Sequence, residues 1–151
     1  MNWNIGRCYS TQRPFTGIRA IGVHAASENG RVNLARVEVV NGKVLYDGEL
    51  LVVWASRVAE RIVERCGATR VILHGSVVRG DDRPDSDIDL LVVMPIVGRR
   101  HDAAVRVLNE LRDFPVPVDI TVVDPTHLDE EALVPGVVRV AMRDGEDLIV
   151  A

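Results

Sequence analysis

Two short signatures in this chain have residue types and a spacing that suit shared chemistry. Gly75-Ser76 closes the apolar run Val71-Ile72-Leu73-His74, and a ten-residue spacer later Asp87-Ile88-Asp89 opens a second apolar run, Leu90-Leu91-Val92-Val93. Side chains alternate along a strand, so Asp87 and Asp89 project to one face while Ile88 and Leu90 turn to the other. Two neighbouring carboxylates raise each other's pKa unless a cation sits between them. Hard oxygen donors of this kind suit Mg²⁺, which takes a few carboxylates, waters and substrate phosphates. Gly75 lets the backbone approach an anion closely, and Ser76 offers a hydroxyl beside its amide. Taken singly, the first signature is also a plain turn. The second is also a solvated acidic strand end, since Asp81, Asp82 and Asp85 precede it.

A third carboxylate shifts that balance. Pro117-Val118-Asp119-Ile120-Thr121-Val122-Val123 is an apolar strand broken by one acid. Asp seldom sits in a buried strand unless it is paired or ligates a metal. If this strand neighbours 88–94, Asp119 completes a three-carboxylate site; otherwise it is an exposed acid at a sheet edge.

The elements that must position these residues follow from periodicity. Asp47 can cap a helix in which Leu50, Trp54, Val58 and Ile62 recur every four residues, with Leu51 and Val63 widening the stripe. Gly67 suits the position just past its C-terminus. Strands are expected at 70–74, 88–94 and 117–123, with a helix at 100–113 between the last two. Asp124-Pro125 predicts a short helix start, Pro135 the start of the last helix, and Gly145 its end before a strand at 148–150. Interleaved helices and strands make this an α/β (α+β) domain with a mixed sheet. Residues 1–46 differ: Val37 to Tyr46 reads as a hairpin around Asn41-Gly42, and Ile18 to His24 as a further strand. The expected organisation is an N-terminal β-rich extension, 1–46, followed by one domain, 47–151.

Composition narrows the class. The 151 residues suffice for one ordinary core. A formal net charge of −4, with no basic stripe, argues against tracking long nucleic acid. Cys8 and Cys66 match no metal or redox spacing and read as reduced thiols. With no leader-like segment and no long apolar run, a cytoplasmic protein is expected.

The apolar strand, Gly75-Ser76, the spacer, Asp87-x-Asp89 and the later Asp119 together resemble the nucleotidyltransferase superfamily that includes DNA polymerase β. The spacer, with Arg79-Gly80 and Ser86-Asp87-Ile88-Asp89-Leu90, is most similar to the minimal nucleotidyltransferases, often antitoxins beside a helical HEPN-domain toxin. The resemblance spans about 50–151, including an Arg-Asp-Gly turn near the C-terminus.

The resemblance implies a nucleotidyltransferase fold and a chemistry. Asp87, Asp89 and Asp119 would hold two Mg²⁺ ions, with Asp119 also accepting the hydroxyl proton. Gly75, Ser76 and Arg79 would bind the phosphates of ATP, the donor. The acceptor it suggests is a tyrosine of a partner HEPN toxin, silenced by adenylylation, and the chain could form homo- or hetero-oligomers. Alternatives are an antitoxin acting by contact alone and a small-molecule transferase of the aminoglycoside type, for which this chain is short. A polymerase reading is weakest.

Several further residues read more simply without catalysis. His74 stands where the family usually has an apolar or aromatic residue, and a supporting histidine fits better than a catalytic base. Val77 replaces the residue, often polar or aromatic, that follows the family's Ser. Arg99-Arg100-His101 reads as a solvated helix start, and Trp54 as core rather than a base-stacking platform.

Overall fold

The computed structural model describes residues 18–28 and 31–150, with side chains from residue 35 onward. Two tight turns shape the first sheet. Asn41 (φ 50°) and Gly42 (φ 76°) take the left-handed backbone that a two-residue type I′ hairpin needs. They join β2 (Arg31–Val40) to β3 (Lys43–Tyr46), in register from Val40 opposite Lys43 to Val37 opposite Tyr46. Asp47 (φ 49°) and Gly48 (φ 82°) repeat the device between β3 and the two-residue β4, Glu49–Leu50. With β1 (Ile18–Glu28) antiparallel to β2, the order is β1-β2-β3-β4. Cys8 lies outside the described residues.

The second turn corrects the expected role of Asp47. It does not cap a helix: its carboxylate accepts the Arg36 amide at 2.8 Å, and its own amide donates to the Arg36 carbonyl. Leu50 is then paired with Leu45 as a strand residue, and α1 (Leu51–Cys66) starts one residue later without a side-chain cap. The helix is accordingly turned from the expected stripe. Leu51, Ala55, Val58, Ala59 and Ile62 are buried, Trp54 and Val63 lie at the margin, and Leu50 is 38% exposed. Gly67 ends α1 in the left-handed conformation, as expected.

The second sheet has the order β7-β6-β5-β8. β5 (Arg70–His74) runs antiparallel to β6 (Ile88–Val93) and to β8 (Glu146–Val150), while β6 and β7 (Val118–Val123) are parallel. A parallel pair needs a crossover, and α3 (Arg100–Glu110) supplies it. The expected mixed sheet with flanking helices is therefore present. Between β5 and β6 lies the short α2, Ser76–Arg79.

Strand alternation sorts this sheet into two faces. Val71, Leu73, Ile88, Leu90, Val92 and Val122 join the larger core with α1, with Ala103 and Val107 of α3, and with Val37, Val44 and Tyr46 of the first sheet. Ile72, Leu91, Val93 and Val123 face the other way. They are covered by α4 (Leu128–Leu133) and α5 (Val137–Asp144) through Leu128, Ala132, Val138 and Ala141.

Four boundaries differ from expectation, each for a local reason. α3 stops at Glu110, where Leu111 and Phe114 close tighter turns by donating to the carbonyls three residues back. Asp124-Pro125 does not start α4. The Asp124 carboxylate accepts the Thr126 amide and hydroxyl and, from the β6 side, the Ile96 amide at 2.9 Å, so the helix waits until Leu128. Pro135 is followed by Gly136 as N-cap, and α5 opens at Val137. β8 starts early, at Glu146, because Asp147 pairs with Ile72 and its carboxylate takes both Nε and Nη2 of Arg70 at 2.6 and 2.9 Å. Among the described residues no helix is long and apolar enough to cross a membrane.

Candidate active site

Three polar residues line up across the end of the second sheet, on the face that α4 and α5 cover elsewhere. His74, the last residue of β5, is opposite Asp89 on β6, and Asp89 is beside Asp119 on β7. The apolar pattern IDLLVV puts Ile88 and Leu90 into the larger core and therefore turns Asp89 to the opposite face. His74 and Asp89 are half-buried, and Asp119 is exposed.

Gly75 explains how Asp89 fits. Its backbone (φ 77°, ψ −151°) lies in a region open essentially only to glycine. A Cβ at this position would collide with Asp89 Oδ2 and stand 3.1 Å from its carboxyl carbon. The carboxylate thus rests directly against the turn that leads into Ser76. Arg79, at the far end of α2, is exposed and 3.4 Å from Asp81, and its charge also reaches Asp89.

Electrostatics mark the same place. Burial raises the Asp89 pKa; the His74 imidazole opposes this, Asp119 and Asp87 reinforce it, and Arg79 opposes it. Burial lowers the pKa of His74, against the pull of Asp89 and Asp119. A cation placed between the acids would relieve this repulsion.

Asp87 is placed differently from its strand partner. It is exposed and precedes β6, in a loop closed by Ser86 amide to Arg83 carbonyl at 2.9 Å and Arg83 amide to Ser86 hydroxyl at 2.7 Å. Among the described residues, no three His, Cys, Asp or Glu side chains converge closely enough to enclose a metal. The expected three-carboxylate site is therefore a register pair, Asp89 and Asp119, with Asp87 on the approach loop. That donor set still fits Mg²⁺, which is usually held by one or two carboxylates while water and substrate phosphates fill the remaining positions.

The strand–Gly-Ser–strand–acid arrangement has a counterpart among known families. Residues 55–147, more than half the chain, match the nucleotidyltransferase domain. The chain belongs to the nucleotidyltransferase domain family. A crystal structure of a nucleotidyltransferase candidate from Sulfolobus solfataricus is similar at 26% identity, over 63% of this chain and 79% of that one, with a TM-score of 0.44. No curated protein matches the chain. Membership places this nucleotidyltransferase domain in a class whose chemistry is nucleotidyl transfer, generally from a nucleoside triphosphate with a divalent metal.

Other residues singled out by type stay away from the acids. Arg99 is exposed at the N-cap of α3, Arg100 pairs with Glu131 of α4, and His101 pairs with Asp102. Trp54 is a packing residue, as expected. Its ring meets Phe114 edge-on at 6.3 Å, Arg57 stacks over it, and its N–H donates to the Tyr46 carbonyl at 2.9 Å.

One neighbour of the candidate site has no marker in the sequence. The Tyr46 hydroxyl donates to the Pro84 carbonyl at 3.0 Å, 38 residues away. Burial raises its pKa, and Asp87 and Asp85 push the same way. The hairpin alternation could have placed Tyr46 inside; nothing in its spacing pointed to the loop.

Proposed function

We propose that this protein is a Mg²⁺-dependent nucleotidyltransferase that moves AMP from ATP to a hydroxyl, and that it is of the minimal, antitoxin type. The acceptor in this reading is a tyrosine of a partner HEPN toxin. The observation that supports the transfer chemistry is Asp89, seated against Gly75 of the Gly75-Ser76 turn and in register with Asp119.

Each residue then has a task. Asp87, Asp89 and Asp119 are the candidate metal ligands, and Mg²⁺ bound there would neutralise triphosphate charge and favour the ionised acceptor hydroxyl. The Gly75 and Ser76 turn admits the terminal phosphates close to the backbone, and Arg79 offers them a positive charge. The acceptor oxygen bonds to the α-phosphorus while the bond from that phosphorus to the oxygen bridging the β-phosphate breaks. Pyrophosphate leaves with that electron pair, and the hydroxyl proton passes to the Asp119 carboxylate. Exposure of Asp119 leaves it open to an incoming acceptor. In-line positioning and charge neutralisation account for the rate of such transfers.

A second reading, neutralisation of the toxin by contact alone, draws on the failure of three acids to converge among the described residues. Incubation with ATP labelled at the α-phosphate, Mg²⁺ and the product of the adjacent reading frame separates the two. Label on that product, lost with Asp87→Ala plus Asp89→Ala, is expected. A double variant that still neutralises the partner fully would establish contact as the mechanism.

A further inference from the structure

We propose that Tyr46 is a positioning residue of the site: its hydroxyl holds the 81–87 loop that carries Asp87 on the approach to Asp89 and Asp119. The inference rests on the reading of Asp87 as a metal ligand. Tyr46 precedes the part of the chain that matches the family, residues 55–147.

The ring itself is rigidly held. Tyr46 is 1% exposed within the larger core, paired with Val37 on one side and Glu49 on the other. Its carbonyl takes the Trp54 N–H, which locks the end of β3 to α1. A fixed ring makes its hydroxyl a fixed point, and from there it donates to the Pro84 carbonyl, three residues before Asp87.

The loop needs such a point. It has no regular structure between α2 and β6, and Asp87 is exposed in it. Its first turn is tied by the Asp81 amide to the Ser76 carbonyl, and its end by the Ile88 amide to the Pro117 carbonyl. Between them the local Arg83–Ser86 turn and the bond to Tyr46 hold the chain, and at its start Arg79 Nε meets the Asp81 carboxylate at 3.4 Å. The same strand also reaches the start of the loop: the Lys43 ammonium lies 3.9 Å from where a Cβ on Gly80 would be. β3 therefore flanks the spacer at both Gly80 and Pro84. Groups that hydrogen-bond a metal ligand directly commonly change metal affinity about 10- to 100-fold when removed, and Tyr46, acting through the loop backbone, is expected at the low end of that range.

The test uses the full chain with Mn²⁺ as probe, its binding read by electron paramagnetic resonance, and amide hydrogen exchange read over 81–87. Tyr46→Phe keeps the ring and removes the hydroxyl. Ile62→Val, a change at a fully buried α1 position two turns beyond Trp54 that keeps the Trp54–Tyr46 and Tyr46–Pro84 bonds, is the packing control. Expected for Tyr46→Phe are faster exchange confined to 81–87 and a Mn²⁺ Kd about 10-fold higher. In an Asp87→Asn background Tyr46→Phe should add nothing, and Ile62→Val should lower Tm without moving the Kd. An unchanged Kd in Tyr46→Phe, or an undiminished loss on top of Asp87→Asn, overturns the positioning role. Equal Mn²⁺ binding by wild type and Asp87→Asn would instead overturn the assignment of Asp87 as a ligand, and this inference with it.

Discussion

The Asp89 carboxylate lies against the α-carbon of Gly75, in the space a side chain at 75 would fill. Gly75→Ala therefore meets two penalties, a backbone region closed to alanine and a collision with Oδ2. The backbone part costs about 1–3 kcal/mol. Calorimetry should show a lower Tm, and a pyrophosphate-release assay a loss of turnover at temperatures where the variant is still folded. Stability lost with turnover intact would separate Gly75 from the chemistry.

Asp89 carries a stability cost that a metal would offset. Its folded pKa is raised, chiefly by burial. A raised carboxyl pKa stabilises the fold below the ordinary carboxylate range, and that contribution is lost as pH rises through the folded value. At neutral pH ionised Asp89 thus works against folding. Asp89→Asn should raise the Tm of metal-free protein at pH 7, and the gain should vanish in acid. Mg²⁺ should raise the wild-type Tm and leave the variant unmoved, while nucleotidyl transfer is lost.

Asp124 shows the opposite sign. The Thr126 hydroxyl, then the Ile96 and Thr126 amides, hold its pKa down to about 2. A depressed pKa gives stability that is complete above the ordinary carboxylate range and drains as pH falls toward the folded value. Asp124→Ala should unfold at lower denaturant than wild type at pH 7, with the two midpoints closing between about pH 4 and 2. Midpoints that stay equally far apart down to pH 2 would rule out the ionised carboxylate as the anchor of the β6–α3 and β7–α4 connections.

Gly145 is needed for room rather than for backbone freedom, since its φ of −80° is open to any residue. A Cβ there would stand 2.6 Å from Ile72 Cγ2 and 2.9 Å from the Leu73 carbonyl oxygen. Gly145→Ala should cost about 1–3 kcal/mol by overpacking, measured as a shift in urea midpoint. Well below its Tm the variant should keep the wild-type KM for a nucleoside triphosphate, because the contacts fall on Ile72 and Leu73, before His74.

Much of this molecule is decided within a few residues of chain. Asn41-Gly42 sets a hairpin because adjacent positive φ angles permit little else, and the register Val37–Tyr46 follows. The β5–Gly75-Ser76–β6 order, and the face on which Asp89 emerges, follow from apolar alternation of period two. The phase of α1 departs from the stripe that periodicity predicts because Asp47 suits both a helix cap and, with Gly48, a hairpin turn. Pairing of Leu45 with Leu50, a contact between strands, settles which.

What lies farther apart in sequence needed the fold. Asp119 meets Asp89 only because β6 and β7 pair in parallel across α3, a choice governed by burying two sheet faces at once. The same alternation that aligned Asp87 with Asp89 stops one residue short, since β6 begins at Ile88 and leaves Asp87 to its loop. The Tyr46–Pro84 bond joins positions 38 residues apart, and no local pattern encodes it. The sequence by itself determined the acids, the glycine turn and the strands that carry them, because propensity and periodicity act over a few residues. Only the tertiary structure decided which acids become neighbours, because strand order and register depend on apolar burial summed over the whole chain.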